Sequence, residues 1–197
     1  AYPDHGIWGE EFGRYQNDAE WTWIFDPIDG TKAYTLGRPT FGCLIGLHHK
    51  EHGFVAGIVD QPIVQWRWTG VRSEGATFNG RPLKTHNIAF SDVRIALTNP
   101  MRLSAELREL RRQLNREIGY MAYGGDCMNF TGLADGGVHA LFDSVQKIYD
   151  IAAIIPIIEE AGGVITHTDG SPIDFSEDHT IMAAHTPELH QELLRRY

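Results

Sequence analysis

The chain has 197 residues, 42% of them hydrophobic, enough for one compact core or two intimately packed halves, so a single domain over 1–197 is expected. A formal net charge of −9 makes nucleic acid and anionic membranes poor partners and points to small ligands. No apolar run approaches the roughly 18 residues a spanning helix needs, and A-Y-P-D-H-G at the start has neither the basic nor the apolar part of an export signal. Ala1 in place of an initiator Met leads us to expect a processed or truncated chain.

In chain order, Trp21 to Phe25 is aromatic and β-branched and predicts a strand that runs into D-P-I-D-G-T at 26–31. A short helix is expected from Gly30 to Leu36, closed by Gly37 with Pro39 as a stop signal. Strand-like runs at 41–48, 54–60, 64–69 and 74–78, the last followed by Asn79-Gly80, read as an antiparallel meander. A strand at 94–98 precedes an amphipathic helix over 104–116, with Leu103, Leu107, Leu110 and Leu114 at helical spacing. A helix over 129–134, a strand at 138–142 and a strongly apolar helix at 151–161, ended by Gly162-Gly163, come next. Strands at 164–166 and 180–184 and a last helix, with Thr186 as cap and Pro187 in its first position, complete a layered α/β pattern.

Cys43 and Cys127 lie in apolar segments without C-x-x-C spacing, which favours reduced core thiols and a cytoplasmic compartment. His48-His49 follows a strand-like run beside Lys50, and without H-E-x-x-H spacing a solvated loop is expected there rather than a metal site.

The chemistry concentrates around 26–31. Pro27 fixes its own φ and keeps Asp26 extended, so Asp26 and Asp29 are held by a stiff turn. A hard divalent cation such as Mg²⁺ takes several oxygens at about 2.0–2.1 Å, which two carboxylates and an intervening carbonyl can supply. Gly30-Thr31 then opens a helix whose N–H groups and positive dipole end favour a phosphate. The same hexapeptide also reads as an ordinary acidic turn, because Asp-Pro and Asp-Gly are common turn pairs. Gly9-Glu10-Glu11 and Tyr149-Asp150 add further acids, and carboxylates that converge in a cleft are costly without a cation. Singly, Glu10 and Glu11 also read as solvated loop residues, and Asp150 as a helix cap.

In this order, G-E-E, W-I-F-D-P-I-D-G-T, and Y-D-I-A-A with E-A-G-G resemble the inositol monophosphatase family. The resemblance implies an α/β fold in alternating α-β-α-β-α layers, truncated at its N-terminus. It implies two or three Mg²⁺ per site, held by Glu10, Asp26, the carbonyl of Ile28, Asp29 and Asp150, with Asp26 bridging two cations and Glu11 nearby. Relatives usually carry Trp where this chain has Tyr149, a tolerable change because the ligand is the following Asp150. D-G-T-K-A-Y-T-L-G-R-P-T-F-G, G-I-V-D-Q-P, G-G-D-C and Y-D-I-A-A-I-I-P-I-I-E-E-A-G-G are most similar to the histidinol-phosphatases of that superfamily.

That similarity implies hydrolysis of L-histidinol phosphate in histidine biosynthesis. An inositol or sugar monophosphate is the alternative substrate, and a noncatalytic metal- or phosphate-binding module is the alternative outside the enzymes. Two cations about 3.5–4 Å apart would serve in-line displacement without a phosphoenzyme. Glu10 and Thr31 are expected to orient the attacking water, and the Gly30 and Thr31 N–H groups to hold the phosphate. Histidinol phosphate carries an ammonium and an imidazole, for which the resemblance offers Asp126 and Asp143; Asp126 reads equally as a helix N-cap. Relatives normally begin with a helical hairpin that supplies a loop over the active site, and G-E-E stands almost at the start here. Lost packing against that hairpin is expected to leave an apolar patch. A small phosphorylated substrate and a homodimer are the partners expected.

Overall fold

The computed structural model describes residues 2–16, 18–176 and 178–197, with Val145 described by its backbone; Ala1, which bears on the expected processing, lies outside the described residues. Apolar residues at period two, the mark of half-buried strands, dominate the first half of the chain. There the chain forms β1 (Gly6–Gly9), β2 (Gly13–Tyr15), β3 (Trp21–Asp29), the short helix α1 (Thr31–Thr35), β4 (Gly42–His49), β5 (Gly53–Gln61), β6 (Trp66–Val71), β7 (Gly75–Phe78) and β8 (Arg81–Pro82). These strands make one sheet in the order β2-β1-β3-β4-β5-β6-β7-β8. Its neighbours are antiparallel except β1 and β3, which run parallel. The expected meander is present, and Asn79 and Gly80, both at positive φ, close the β7–β8 hairpin as a tight turn requires.

The second half contributes β9 (Arg94–Leu97), α2 (Ala105–Leu114), β10 (Tyr120–Tyr123), α3 (Cys127–Asp135), β11 (Ala140–Lys147), α4 (Ile148–Ile151), α5 (Ile154–Ala161), β12 (Val164–His167), β13 (Asp178–Ala184) and α6 (Pro187–Arg196). Its strands form a second mixed sheet, β10-β9-β11-β13-β12. Leu107, Leu110 and Leu114 of α2, with Leu189 and Leu193 of α6, pack on Ile95, Phe142 and Met182 of this sheet. Ser104 caps α2 by accepting the Leu107 N–H at 3.1 Å, and Thr186 caps α6 from the Leu189 N–H at 3.3 Å.

Between the sheets lie α3, α4 and α5. Phe130, Ile148, Ile151 and Ile157 share one core with Ile24, Leu44, Val59 and Trp68 of the first sheet and Leu141, Ile181 and Ala183 of the second. The layers therefore run sheet, helices, sheet, helices in a mixed α/β sandwich. A row of glycines lets the helical layer approach: Gly46, Gly57 and Gly70 face one another across β4, β5 and β6. A Cβ on Gly57 would stand 1.8 Å from the Ala153 carbonyl oxygen, and one on Gly70 would stand 2.6 Å from Ile157 Cα. The opposite face of this sheet carries Ile7, Trp23, Phe25, Ile45 and Ile58, all partly exposed.

Two expectations are corrected. His48 and His49 are buried rather than in a solvated loop: His48 lies on the core face of β4 with Leu44 and Gly46, whereas His49 lies on the opposite face, where the Trp21 ring meets it edge-on at 4.4 Å. His48 stacks on Phe175 at 4.0 Å, while His49 Nδ1 accepts the Glu51 and His52 N–H groups and Nε2 meets Glu20 at 3.1 Å. The buried helix opens at Ile148, not at 151, and breaks into α4 and α5, so Asp150 lies inside its first turn. The short strands β1, β2 and β10 carry too few β-branched residues to be read from sequence.

Candidate active site

Because β1 and β3 run parallel, Gly9 faces Phe25, and the Glu10 N–H donates to the Phe25 carbonyl at 3.1 Å. Glu10 therefore stands beside Asp26 at the carboxyl end of β3. The β3–β4 pairing slips between Asp26 and Asp29, where Pro27 can offer no N–H to a ladder. Asp26 is buried, and its Oδ1 accepts the Ile28 N–H at 2.9 Å, a local turn of the kind Asp favours. The Thr31 hydroxyl donates to the Ile28 carbonyl at 3.2 Å. Gly30 has φ +85°, and a Cβ there would meet Asp126 and the Thr40 carbonyl at 3.1 Å, so α1 and α3 close together only around a glycine.

Asp150 arrives from the helical layer. Its Oδ2 accepts the Lys147 N–H at 2.8 Å, so it does serve the start of α4, as one of its two readings held. The same carboxyl also joins the other two: Asp26, Asp29 and Asp150 each offer an oxygen within 4.8 Å of the others. Asp29 Oδ2 also accepts the N–H of Cys127, the first residue of α3, at 2.6 Å. Burial, then repulsion from Asp29, Glu10 and Asp150, pushes the Asp26 carboxyl up to about 9. Burial, then Asp29, pushes Asp150 up to about 7, with the Lys147 N–H and Arg102 opposing. Burial raises Asp29 to about 6, with the contacts to Cys127 pulling down and Asp126 and Glu10 pushing up.

Carboxylates so placed cannot all ionise near neutrality unless a cation joins them. Every donor is an oxygen, which suits a hard divalent ion. Beside the cluster a cleft of about 500 Å³ is lined by Glu10, Gly30, Thr31, Lys32, Arg38, Thr98, Asn99, Arg102 and Gly124 to Asp126.

Asp126 lines this cleft and stands at the N-cap position of α3 as read, with φ +44°, but among the described residues its side chain makes no capping hydrogen bond; Asp29 serves the N-terminus of that helix instead. Burial raises the Asp126 carboxyl, and Lys32 opposes the shift. Asp143 is buried in β11, on the face it shares with Leu141, and is not among the residues lining the cleft. Glu11 is exposed. Lys32, Arg38 and Arg102 escaped the reading of the sequence; Lys32 adjoins D-P-I-D-G-T and could have been singled out, whereas Arg102, in the turn before α2, carries no local signal.

Oxygen donors for a cation beside basic groups for an anion are the elements of a phosphatase site. The chain belongs to the inositol monophosphatase family, whose sequence model matches residues 1–197. It is 34% identical over 202 residues to the chloroplastic bifunctional phosphatase IMPL2 of Arabidopsis thaliana, covering 98% of this chain and 58% of that protein. It is 32% identical over 170 residues to the histidinol-phosphatase of Chlorobaculum parvum, covering 82% of this chain and 63% of that protein. The chain thus spans less than two thirds of the length of either relative. An inositol monophosphatase structure from Zymomonas mobilis matches with a TM-score of 0.89 and 33% identity, over 98% of this chain and 75% of that one.

Proposed function

We propose that the chain is a Mg²⁺-dependent phosphomonoesterase that hydrolyses L-histidinol phosphate to L-histidinol and phosphate, a step of histidine biosynthesis. The observation that carries the hydrolase reading is the convergence of Asp26, Asp29 and Asp150 within 4.8 Å, from β3 and from α4, with Glu10 close by. Glu10, Asp26, the Ile28 carbonyl, Asp29 and Asp150 would hold two or three Mg²⁺. When bound, Mg²⁺ supplies the positive charge that keeps these carboxylates ionised, attracts a phosphate and favours loss of a proton from water.

The chain's own groups do the positioning. The Thr31 hydroxyl donates to Ile28, which leaves its oxygen lone pairs to accept from a water, and Glu10 lines the same cleft and accepts the second hydrogen. The backbone N–H groups of Gly30 and Thr31 are assigned to the phosphate oxygens, with Lys32 and Arg102 adding charge-assisted contacts. Water displaces the alcohol directly, without a phosphoenzyme.

For specificity, Asp126 at the cleft is assigned to the ammonium of histidinol phosphate, and Asp143 is assigned on the resemblance alone, as is a homodimer. One observation favours a second reading, an inositol or sugar monophosphate: Lys32 already offsets part of the Asp126 charge that an ammonium would need.

Phosphate release from L-histidinol phosphate and inositol 1-phosphate, compared with Mg²⁺ and with chelator, tests both halves. Mg²⁺-dependent release that favours histidinol phosphate is expected. Faster release from inositol 1-phosphate overturns the substrate, and no release from either by a folded, Mg²⁺-binding chain makes it a noncatalytic binding module.

A further inference from the structure

Between β12 and β13 the chain assembles a second group of ligand-type side chains that shares no residue with the carboxylate cluster. His167 ends β12, Asp174 lies in the connection and His179 lies in β13; one ligand atom of each stands within 4.8 Å of the other two. Their hydrogen bonds fix which nitrogens carry protons. A carbonyl oxygen only accepts, so His167 Nδ1, 3.2 Å from the Thr180 carbonyl, and His179 Nε2, 3.0 Å from the Ser176 carbonyl, are the protonated atoms. In the neutral rings the lone pairs then lie on His167 Nε2 and His179 Nδ1.

His179 is 2% exposed, and its Nδ1 has no hydrogen-bond partner among the described residues. A buried acceptor left alone costs about 1–3 kcal/mol, so this nitrogen calls for a partner. Asp174 Oδ1 accepts the backbone N–H and the hydroxyl of Ser176, which orients the carboxylate and leaves Oδ2 for a cation.

We propose that His167, Asp174 and His179 form a Zn²⁺ site, with His167 Nε2, His179 Nδ1 and an Asp174 oxygen as ligands. Two imidazoles and one carboxylate suit Zn²⁺, whereas Mg²⁺ favours oxygen donors throughout. Each imidazole donates its second N–H to a backbone carbonyl and the carboxylate is itself hydrogen-bonded, the outer-shell support that orients metal ligands. Three protein ligands leave a fourth position for water. The ion acts as a clamp: Phe175, next to Asp174, stacks on His48 of β4 at 4.0 Å and meets Trp8 of β1 edge-on at 5.2 Å. Fixing Asp174 to β12 and β13 therefore fastens the second sheet, through Phe175, to the first.

Zn²⁺ titrated into the full chain under saturating Mg²⁺, by calorimetry and thermal melting, tests the proposal. One Zn²⁺ per chain and a raised Tm are expected, retained in Asp29→Asn, which cripples the carboxylate cluster. Co²⁺ in its place is expected to show visible bands of mixed nitrogen and oxygen coordination. His167→Ala, at a partly exposed position, is expected to weaken Zn²⁺ by at least about 100-fold, the upper end of what even an outer-shell loss costs. Asp174→Asn, at an exposed position, is expected to weaken it as well, which tests the site even if His167→Ala does not fold. Zn²⁺ uptake that Asp29→Asn abolishes, or that neither variant weakens, overturns the site.

Discussion

Asp29 Oδ2 accepts the backbone N–H of Cys127 at 2.6 Å and so ties the acidic turn at the end of β3 to the N-terminus of α3. The hydrogen bond needs only an oxygen, whereas a cation needs the charge. Asp29→Asn separates the two: Tm is expected to stay within a few degrees of the parent while phosphate release falls by at least about 10³-fold, the scale of losing one charge-stabilising group. Asp29→Ala also strands the Cys127 N–H and is expected to destabilise by about 1–3 kcal/mol in urea unfolding. Unchanged turnover in Asp29→Asn would sink the metal assignment.

The metal-free chain is expected to weaken as pH rises. Asp150 at about 7 and Asp26 at about 9 both lie above the ordinary 3.8, so the folded state holds protons that the unfolded state releases. That stability is fully present below the unfolded value and is lost as pH climbs through the folded ones. Urea unfolding in chelator is expected to give lower stability at about pH 9 than at about pH 6.5, and Mg²⁺ is expected to shrink the difference. Equal values in chelator would contradict the clustering of these carboxylates.

On the acid side the sign reverses. Burial, then His49, lowers His48 from 6.5 to about 4, so the unfolded state binds the proton first. Its contribution is complete above about pH 6.5 and is lost as pH falls toward 4. His48→Phe keeps a ring against Phe175 and removes the proton site. Its unfolding free energy is expected to fall less steeply over that range, with a difference of up to about 3 kcal/mol at the acid end. A residual slope is expected from His139, which burial and then Arg94 hold at about 4.

Gly57→Ala would drive a Cβ into the Ala153 carbonyl, backbone against backbone, with no side chain to yield. Destabilisation of about 3 kcal/mol, the top of the usual range for overpacking, is expected in chemical unfolding. A loss under 1 kcal/mol would mean that α5 does not rest on the glycine row.

Asp126→Asn removes charge while keeping the shape of the side chain at a backbone position that Asp already adopts, and no capping bond is lost. Stability is expected to hold, while kcat/KM for histidinol phosphate relative to inositol 1-phosphate falls about tenfold, equivalent to about 1.4 kcal/mol. An unchanged ratio would remove Asp126 from substrate recognition.

What the sequence by itself determined lies within a few residues of each signal. Period-two runs wrote β3 to β7, leucines at helical spacing wrote α2, and Thr186 announced α6 because a cap bonds a backbone N–H three residues away. D-P-I-D-G-T was legible for the same reason: Pro27 and the Asp26 turn act on their own neighbours. Tertiary structure decided what those elements meet. Parallel pairing of β1 with β3 set Glu10 beside Asp26, α4 delivered Asp150, and Asp29 rather than the adjacent Asp126 served α3. The burial of His48 and His49 on opposite faces of β4, the arrival of Arg102 at the cleft, and the grouping of His167, Asp174 and His179 followed from register and packing. Local preference is written in adjacent residues, but the meeting of distant side chains depends on how layers stack, and no short stretch of sequence encodes that.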